Sequence, residues 1–175
     1  MALSTFVTNY TAGTVKIVDN TGTPIECNVT ADAGDLSLSG VGFESSNEVT
    51  DYFSRGVYLS SAYSDQRERT GSLTCYIKDL TNATAGNVFD AVGKRGAFAS
   101  GVSFAGTGTK VPWIVKITWT VEQSNFTTGA TDSSVVMLKC RFTGIDIAEG
   151  NPNTAKISWK ILGDVTGDLA GASMF

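Results

Sequence analysis

The residues VPWIVKITWTVE, Val111 to Glu122, alternate apolar and polar side chains almost without a break. Val111, Trp113, Val115, Ile117, Trp119 and Val121 share one side, and Lys116, Thr118, Thr120 and Glu122 share the other. Successive side chains of an extended chain point to opposite faces, so this period of two specifies a strand with one buried face. A helix would repeat its apolar positions at three and four residues instead.

The same period recurs outward in both directions. Toward the N-terminus, TGSLTCYIKDL places Leu73, Cys75 and Ile77 on one face. Further back, GTVKIVDNTGTPIECNVT reads as a hairpin: Val15 and Ile17 alternate, Asp19-Asn20-Thr21-Gly22 turns, and Ile25, Cys27 and Val29 alternate again. Leu36 and Leu38 begin a short strand that ends at Gly40 and Gly42. Toward the C-terminus, SSVVMLKCRFTGIDI predicts a strand with Val136, Leu138, Cys140 and Phe142 inward, and AKISWKILG one with Ile157, Trp159 and Ile161 inward. Asp164 to Asp168 reads as a turn, since its two carboxylates lack the spacing of a calcium loop.

Only NATAGNVFDAVGKRG changes period. Ala85, Val88, Phe89 and Val92 form a helical stripe, which predicts a helix over 82–95. Asn82 or Thr84 would cap its start, Lys94 and Arg95 would face its negative end, and Gly93 or Gly96 would take the left-handed stop. The expected fold is mainly β: an antiparallel β-sandwich or barrel-like domain with one short flanking α-helix and a long extended hairpin or loop. The chain of 175 residues reads as one domain, 1–175, because no repeat, linker or low-complexity tract divides it. A domain of this size buries roughly 70% of its extended-chain surface, enough to stand without disulfides or metal.

One segment resists this pattern. EVTDYFSRGVYLSSAYSDQRER, Glu48 to Arg69, carries several aromatics but no consistently apolar face. It falls within 43–69, read as an extended loop or hairpin that would expose Tyr52, Phe53, Tyr58, Leu59 and Tyr63.

Signs of bond chemistry are sparse. The chain has no His, which excludes Ser-His-Asp and Cys-His arrangements and the zincin motif. Cys27, Cys75 and Cys140 each sit in line with apolar neighbours and read as buried thiols, with no CxxC pair for a metal. GTGTK, Gly106 to Lys110, lacks the order of a phosphate loop, and a strand follows it where a helix would be needed. Trp113, Trp119 and Trp159 alternate with Val and Ile and read as core, not as a sugar platform. No catalytic residue, cofactor or metal site is expected. A net charge of −4 argues against a protein that grips nucleic acid, though not against one that nucleic acid slides past. MALSTFVTNYTAG lacks the features of a secretory signal, and no run approaches the ~20 apolar residues of a spanning helix, so folding in a cytoplasm and no membrane partner are expected.

The last third, RFTGIDIAEGNPNTAKISWKILGDVTG (Arg141 to Gly167), resembles the C-terminal hairpin of bacteriophage tail tube proteins and, more loosely, of Hcp-type secretion tubes. GSLTCYIKDL followed by a helix fits the order of elements in that family. The resemblance implies a structural virion protein whose subunits close into rings, usually hexameric, that stack into a conduit for DNA ejection. DNA would pass through without specific binding. Partners would be copies of the chain, a tape measure, a tail terminator, a baseplate and, where one is present, a sheath. The 43–69 segment would then be an inter-subunit bridge, with Tyr52, Phe53, Arg55, Tyr58, Leu59, Tyr63, Arg67 and Arg69 in contact with neighbouring subunits. The alternative is a β-sandwich binding module, lectin-like or immunoglobulin-like, on a phage or cell surface.

Overall fold

In the computed structural model the described residues are 13–30, 36–40, 49–63, 69–77, 87–121, 132–151, 153–169 and 172–173. They form a curled, half-barrel antiparallel sheet, a separate two-stranded hairpin and one short helix.

The main sheet has nine strands. β1 (Gly13–Val18) and β2 (Glu26–Thr30) form the expected hairpin. β3 (Leu36–Ser39) is the short strand, β4 (Val49–Ser54) and β5 (Val57–Tyr63) make the separate hairpin, and β6 (Arg69–Tyr76) returns to the sheet. α1 (Val88–Gly93) follows, then β7 (Val115–Val121), β8 (Ser133–Ala148), β9 (Thr154–Ile161), β10 (Val165–Leu169) and β11 (Ala172–Ser173). The order is β2-β1-β7-β8-β9-β6-β3, with β10 lying against β8 and β11 against β10.

β8 organises the sheet. Its 16 residues are too many to stay straight in a curled sheet, and two bulges divide them. At the first, Val115 opposes Cys140 while Ile117 opposes Met137, so Lys116 faces both Leu138 and Lys139. Lys139 takes the left-handed φ of 55° that this extra residue requires. At the second, Phe142 pairs with Trp159 and Gly144 with Ser158, leaving Thr143 over. Each bulge switches the parity of the buried face. Ser133, Val135 and Met137 are buried first, then Cys140. The expected inward Val136 and Leu138 are therefore only half-buried, a correction that follows from the bulge at Lys139.

A second correction concerns Asp164 to Asp168. Val165 is buried, and Val165–Asp168 pairs with Ser134–Met137, so β10 replaces the expected turn. Between β9 and β10 the chain stays hydrogen-bonded to the corner of β8 through Leu162 N–H to Lys139 O (3.0 Å) and Leu138 N–H to Asp164 O (3.0 Å).

The core is one cluster that includes Ile17, Leu73, Ile117, Met137, Ile157 and Trp159, all at most 2% exposed. Trp159 lies over Gly71, where an added Cβ would come within 2.4 Å of the indole. The thiols of Cys75 and Cys140 are buried and unoxidised.

The helix is shorter than the stripe suggested. Asn87, not Asn82 or Thr84, caps it, accepting from Asp90 N–H at 2.8 Å; residues 82–86 lie outside the described set. Lys94, not Gly93, takes the left-handed stop, with Gly96 also at positive φ. Val88 and Ala91 face the core. A helix this short depends on docking, and Trp113 supplies it: its indole N–H donates to Ala91 O at 2.7 Å, its ring meets Phe98 edge-on, and Lys94 sits over it. Trp113 does this from outside β7. Ser103 Oγ donates to Pro112 O and accepts from Ile114 N–H, which takes residues 111–114 out of the predicted strand. Asp19, expected only to turn the first hairpin, is 1% exposed and accepts from Ile25 N–H (2.7 Å) and Val102 N–H (3.0 Å). It ties the hairpin to the loop after α1.

Candidate assembly surfaces

The β4–β5 hairpin is built by its turn. Arg55 (φ 49°) and Gly56 (φ 81°) occupy the two left-handed positions of a two-residue loop, the geometry that matches strand twist. Tyr52 pairs with Ser60 and Phe53 with Tyr58, so Leu59 is the extra residue of a bulge. One face carries Asp51, Phe53, Tyr58 and Ser61. There Phe53 and Tyr58 meet edge-on at 5.9 Å, and Ser61 Oγ donates to Asp51 Oδ1 at 2.5 Å and lies 2.7 Å from the Tyr58 hydroxyl. The other face carries Tyr52 and Val57.

Every residue from Thr50 to Ala62 is exposed, so both faces are open. Tyr52 is 51% exposed, Phe53 60%, Tyr58 56% and Leu59 62%. A lone two-stranded ribbon is marginal in water, and large apolar side chains on both faces make it a surface awaiting cover.

The other sequence-predicted contact residues are distributed as follows. Arg55 stands at the exposed tip of the hairpin. Tyr63 ends β5 opposite Val49. Arg67 lies outside the described residues, as do 43–48 and the rest of 64–68. Arg69 does not belong to the hairpin: it opens β6 opposite Ile161 and is half-buried.

Sequence reasoning missed a second open surface. Up to Cys140, β8 has β7 on one side and β10 on the other. Beyond the bulge, Arg141–Ala148 is flanked by β9 alone among the described residues, which leaves one backbone edge unpaired. Ile147, on the same face as the core, is 64% exposed at this edge. An unpaired edge with apolar side chains is a template for another strand. The signal lay in GIDIA, whose isoleucines continue the alternation past the end of the expected core.

The described residues hold no group of three or more His, Cys, Asp or Glu side chains placed to bind a metal. Burial raises the Cys75 thiol, and pushes Cys140 from its ordinary 9.0 to about 12, so both stay protonated and unreactive at neutral pH.

No protein-family model matches the chain, and no curated protein is similar to it in sequence. Solved structures are similar in fold. A chain of the sheath/tube terminator of the PVC extracellular contractile injection system, in its extended state, superposes with a TM-score of 0.57 at 12% identity, covering 96% of this chain and 100% of that one. A chain of the sheath-tube complex of the same kind of system gives 0.53 at 12% identity over 95% and 99%. A chain of the six-fold symmetrised baseplate of the anti-feeding prophage gives 0.51 at 10% identity over 97% and 99%. At these identities the likeness is one of fold, and it extends over nearly the whole of each chain.

Proposed function

We propose that this chain is a non-enzymatic structural subunit of a phage-like tail or injection particle: a tube protein that closes into rings and stacks into a conduit. The observation that carries this reading is the β4–β5 hairpin, ordered by its own turn yet covered on neither face. Full-length similarity in fold to chains from tube, terminator and baseplate assemblies supports it. In this reading the hairpin makes axial contacts with an adjacent ring. The aromatic side chains and Arg55 supply the kind of anchors that dominate interface energy. The open edge of β8, Arg141–Ala148, pairs laterally with a neighbouring subunit, which removes the edge on ring closure. The partners are further copies of this chain and the terminator and baseplate components that end such a tube. The cargo of a virion tail would be DNA.

Two of the structures named above are of a sheath/tube terminator and a baseplate, so a position at one end of a tube is the second reading. Replacing Val49–Tyr63 with a short Gly-Ser linker tests the proposal. The replacement stops at Tyr63 because Arg69 starts β6 of the main sheet. The wild type should give rings or tubes in negative stain. The shortened chain should keep its far-UV circular dichroism and lose polymerisation. A wild type that stays monomeric at all concentrations and with added tube ends would defeat the tube reading. Rings that cap tubes without stacking would favour the end position.

A further inference from the structure

β7 ends earlier than its alternation asks. Val111 and Trp113 continue the period of Val115 and Ile117, yet the strand begins at Val115. Ile114 and Val115 are buried in succession, where a continuing strand would turn one of them outward. β7 pairs with β8 only as far as Cys140, which has Val115 on one side and Ile161 on the other. The open side of β8 beyond Cys140 is therefore the side that β7 has left. Carried on, the register would set Ile114 opposite Arg141 and Val111 opposite Gly144. The segment that leaves the ladder is the one that would have covered half of the open edge at 141–148.

The backbone groups of 111–114 are engaged elsewhere, mainly by one buried side chain. Ser103 is 4% exposed, and its Oγ accepts from Ile114 N–H at 3.0 Å while donating to Pro112 O at 2.7 Å. Phe104 N–H donates to Ile114 O at 2.9 Å, and Val111 N–H to Gly108 O at 3.4 Å. Pro112 has no N–H to offer a ladder. The indole N–H of Trp113 is held by Ala91 O. Hydrogen-bonding capacity that would otherwise belong to the sheet is thus satisfied within the loop and the helix. Without such an arrangement, a free edge beside a chain segment of strand-forming sequence is a template for pairing.

We propose that Ser103 is the clamp of an edge-keeping device: it holds 111–114 off β8, so that 141–148 stays open for a strand from a second copy of this chain. Ser103 is then a positioning residue, acting on the edge through Pro112 and Ile114. The edge itself favours an incoming strand over solvent. Ile147 is 64% exposed, and it shares a row of the core face with the buried Ala155 and Cys75. An added strand would extend that row and cover Ile147. The occupant rests on the lateral pairing of the proposed function, whereas the clamp is measurable on unassembled chain.

The test is hydrogen exchange of the full chain, read by mass spectrometry at concentrations where it is unassembled. In the wild type the Ile114 amide should be protected, while the amides of 141–144 that point away from β9 exchange near the unfolded rate. Removing the clamp leaves the buried Ile114 N–H without its acceptor, which is costly, so the segment should turn to the nearest free ladder. Ser103→Ala combined with Pro112→Val, which restores an N–H at 112, should slow exchange over 141–144 about tenfold or more. The concentration needed for assembly in sedimentation velocity should rise with it. Pro112→Val alone keeps the clamp and should stay within about twofold of the wild type in both measurements. Protected amides at 141–144 in the unassembled wild type overturn the proposal, a result that needs no variant and stands if the double variant fails to fold. Unchanged exchange in a folded double variant overturns it too, as does Pro112→Val closing the edge as fully as the double variant. Loss of assembly without slower exchange also overturns it, as a general loosening of the loop. Slower exchange in the double variant when the wild type forms no tubes keeps the clamp and removes the tube reading; tubes from both chains with unchanged exchange do the reverse.

Discussion

The β4–β5 and β6–β9 pairs are both antiparallel ladders, the first interrupted by one bulge and the second continuous in register, yet they stand in opposite relations to solvent. In β6–β9 one face is closed: Leu73, Cys75, Ala155, Ile157 and Trp159 are all buried, while Thr70, Ser72 and Lys156 alternate outward. In β4–β5 both faces are open from Thr50 to Ala62, although its aromatics are as large as those of the core. Hydrogen-bond pairing alone contributes little net stability, because the unfolded chain bonds to water. Each large apolar side chain taken out of water contributes about 1.5–3 kcal/mol. The body has collected that contribution within one chain, whereas the hairpin can collect it only from another.

The comparison can be broken most sharply at Trp159. Trp159→Ala should destabilise the chain by about 3–5 kcal/mol in denaturant titration, as expected for a large core side chain; a loss below ~1 kcal/mol would mean that β6–β9 is not the core pair. A pH series comes next. Burial holds Cys140 protonated in the folded chain up to about 12, while in the unfolded chain it ionises near its ordinary 9.0. The folded pKa is raised, so this contribution is complete below pH 9. It declines by about 1.4 kcal/mol for each pH unit above 9 until the folded thiol ionises near 12. Cys140→Ala should show a shallower fall over that window, with both chains followed by chemical denaturation; superimposable profiles would refute the burial argument.

Gly71→Ala is a smaller probe of the same wall. Its Cβ would stand 2.4 Å from the Trp159 ring, which must shift, at a cost of about 1–3 kcal/mol. In the Trp159→Leu background most of that cost should disappear in a double-mutant cycle. The smallest effect is expected in the hairpin. Tyr52→Ser, Phe53→Ser and Tyr58→Ser should each change monomer stability by no more than about 0.5 kcal/mol while reducing assembly in sedimentation velocity. A monomer destabilised by several kcal/mol would show that the hairpin packs on its own body, and the contrast between the two regions would collapse.

The strands of the body are legible because their alternation is local. Leu73, Cys75, Ile157, Trp159, Val115 and Ile117 all face inward as their spacing predicts. In β8 no single period runs from end to end. Val136 and Leu138 look as apolar as Val135 and Met137, and nothing in the letters says which pair is inside. The bulge at Lys139 decides, and it exists because β7 and the β9–β10 corner grip β8 with different residue counts. Trp113 and Asp19 were legible as residue types but not as roles, since each acts on a partner far along the chain, Ala91 and Val102. For the hairpin, the lack of a consistent apolar face between Glu48 and Arg69 pointed to an exposed segment, and Arg55-Gly56 marks the turn. The limits of the segment were less clear: Arg69 belongs to β6, because Ile161 pairs with it.

Sequence by itself determined that this chain is a mainly antiparallel β protein with one short docked helix and an extended hairpin or loop whose aromatics lack a consistently apolar face. Side-chain alternation and turn chemistry are properties of neighbours in the chain, so they can be read from order alone. The tertiary structure decided where β8 changes face, that Val165–Leu169 is a strand, and that among the described residues Arg141–Ala148 pairs on one edge alone. Those features depend on which strands meet and in what register. Register is set by contacts between residues distant in sequence, and no local pattern encodes it.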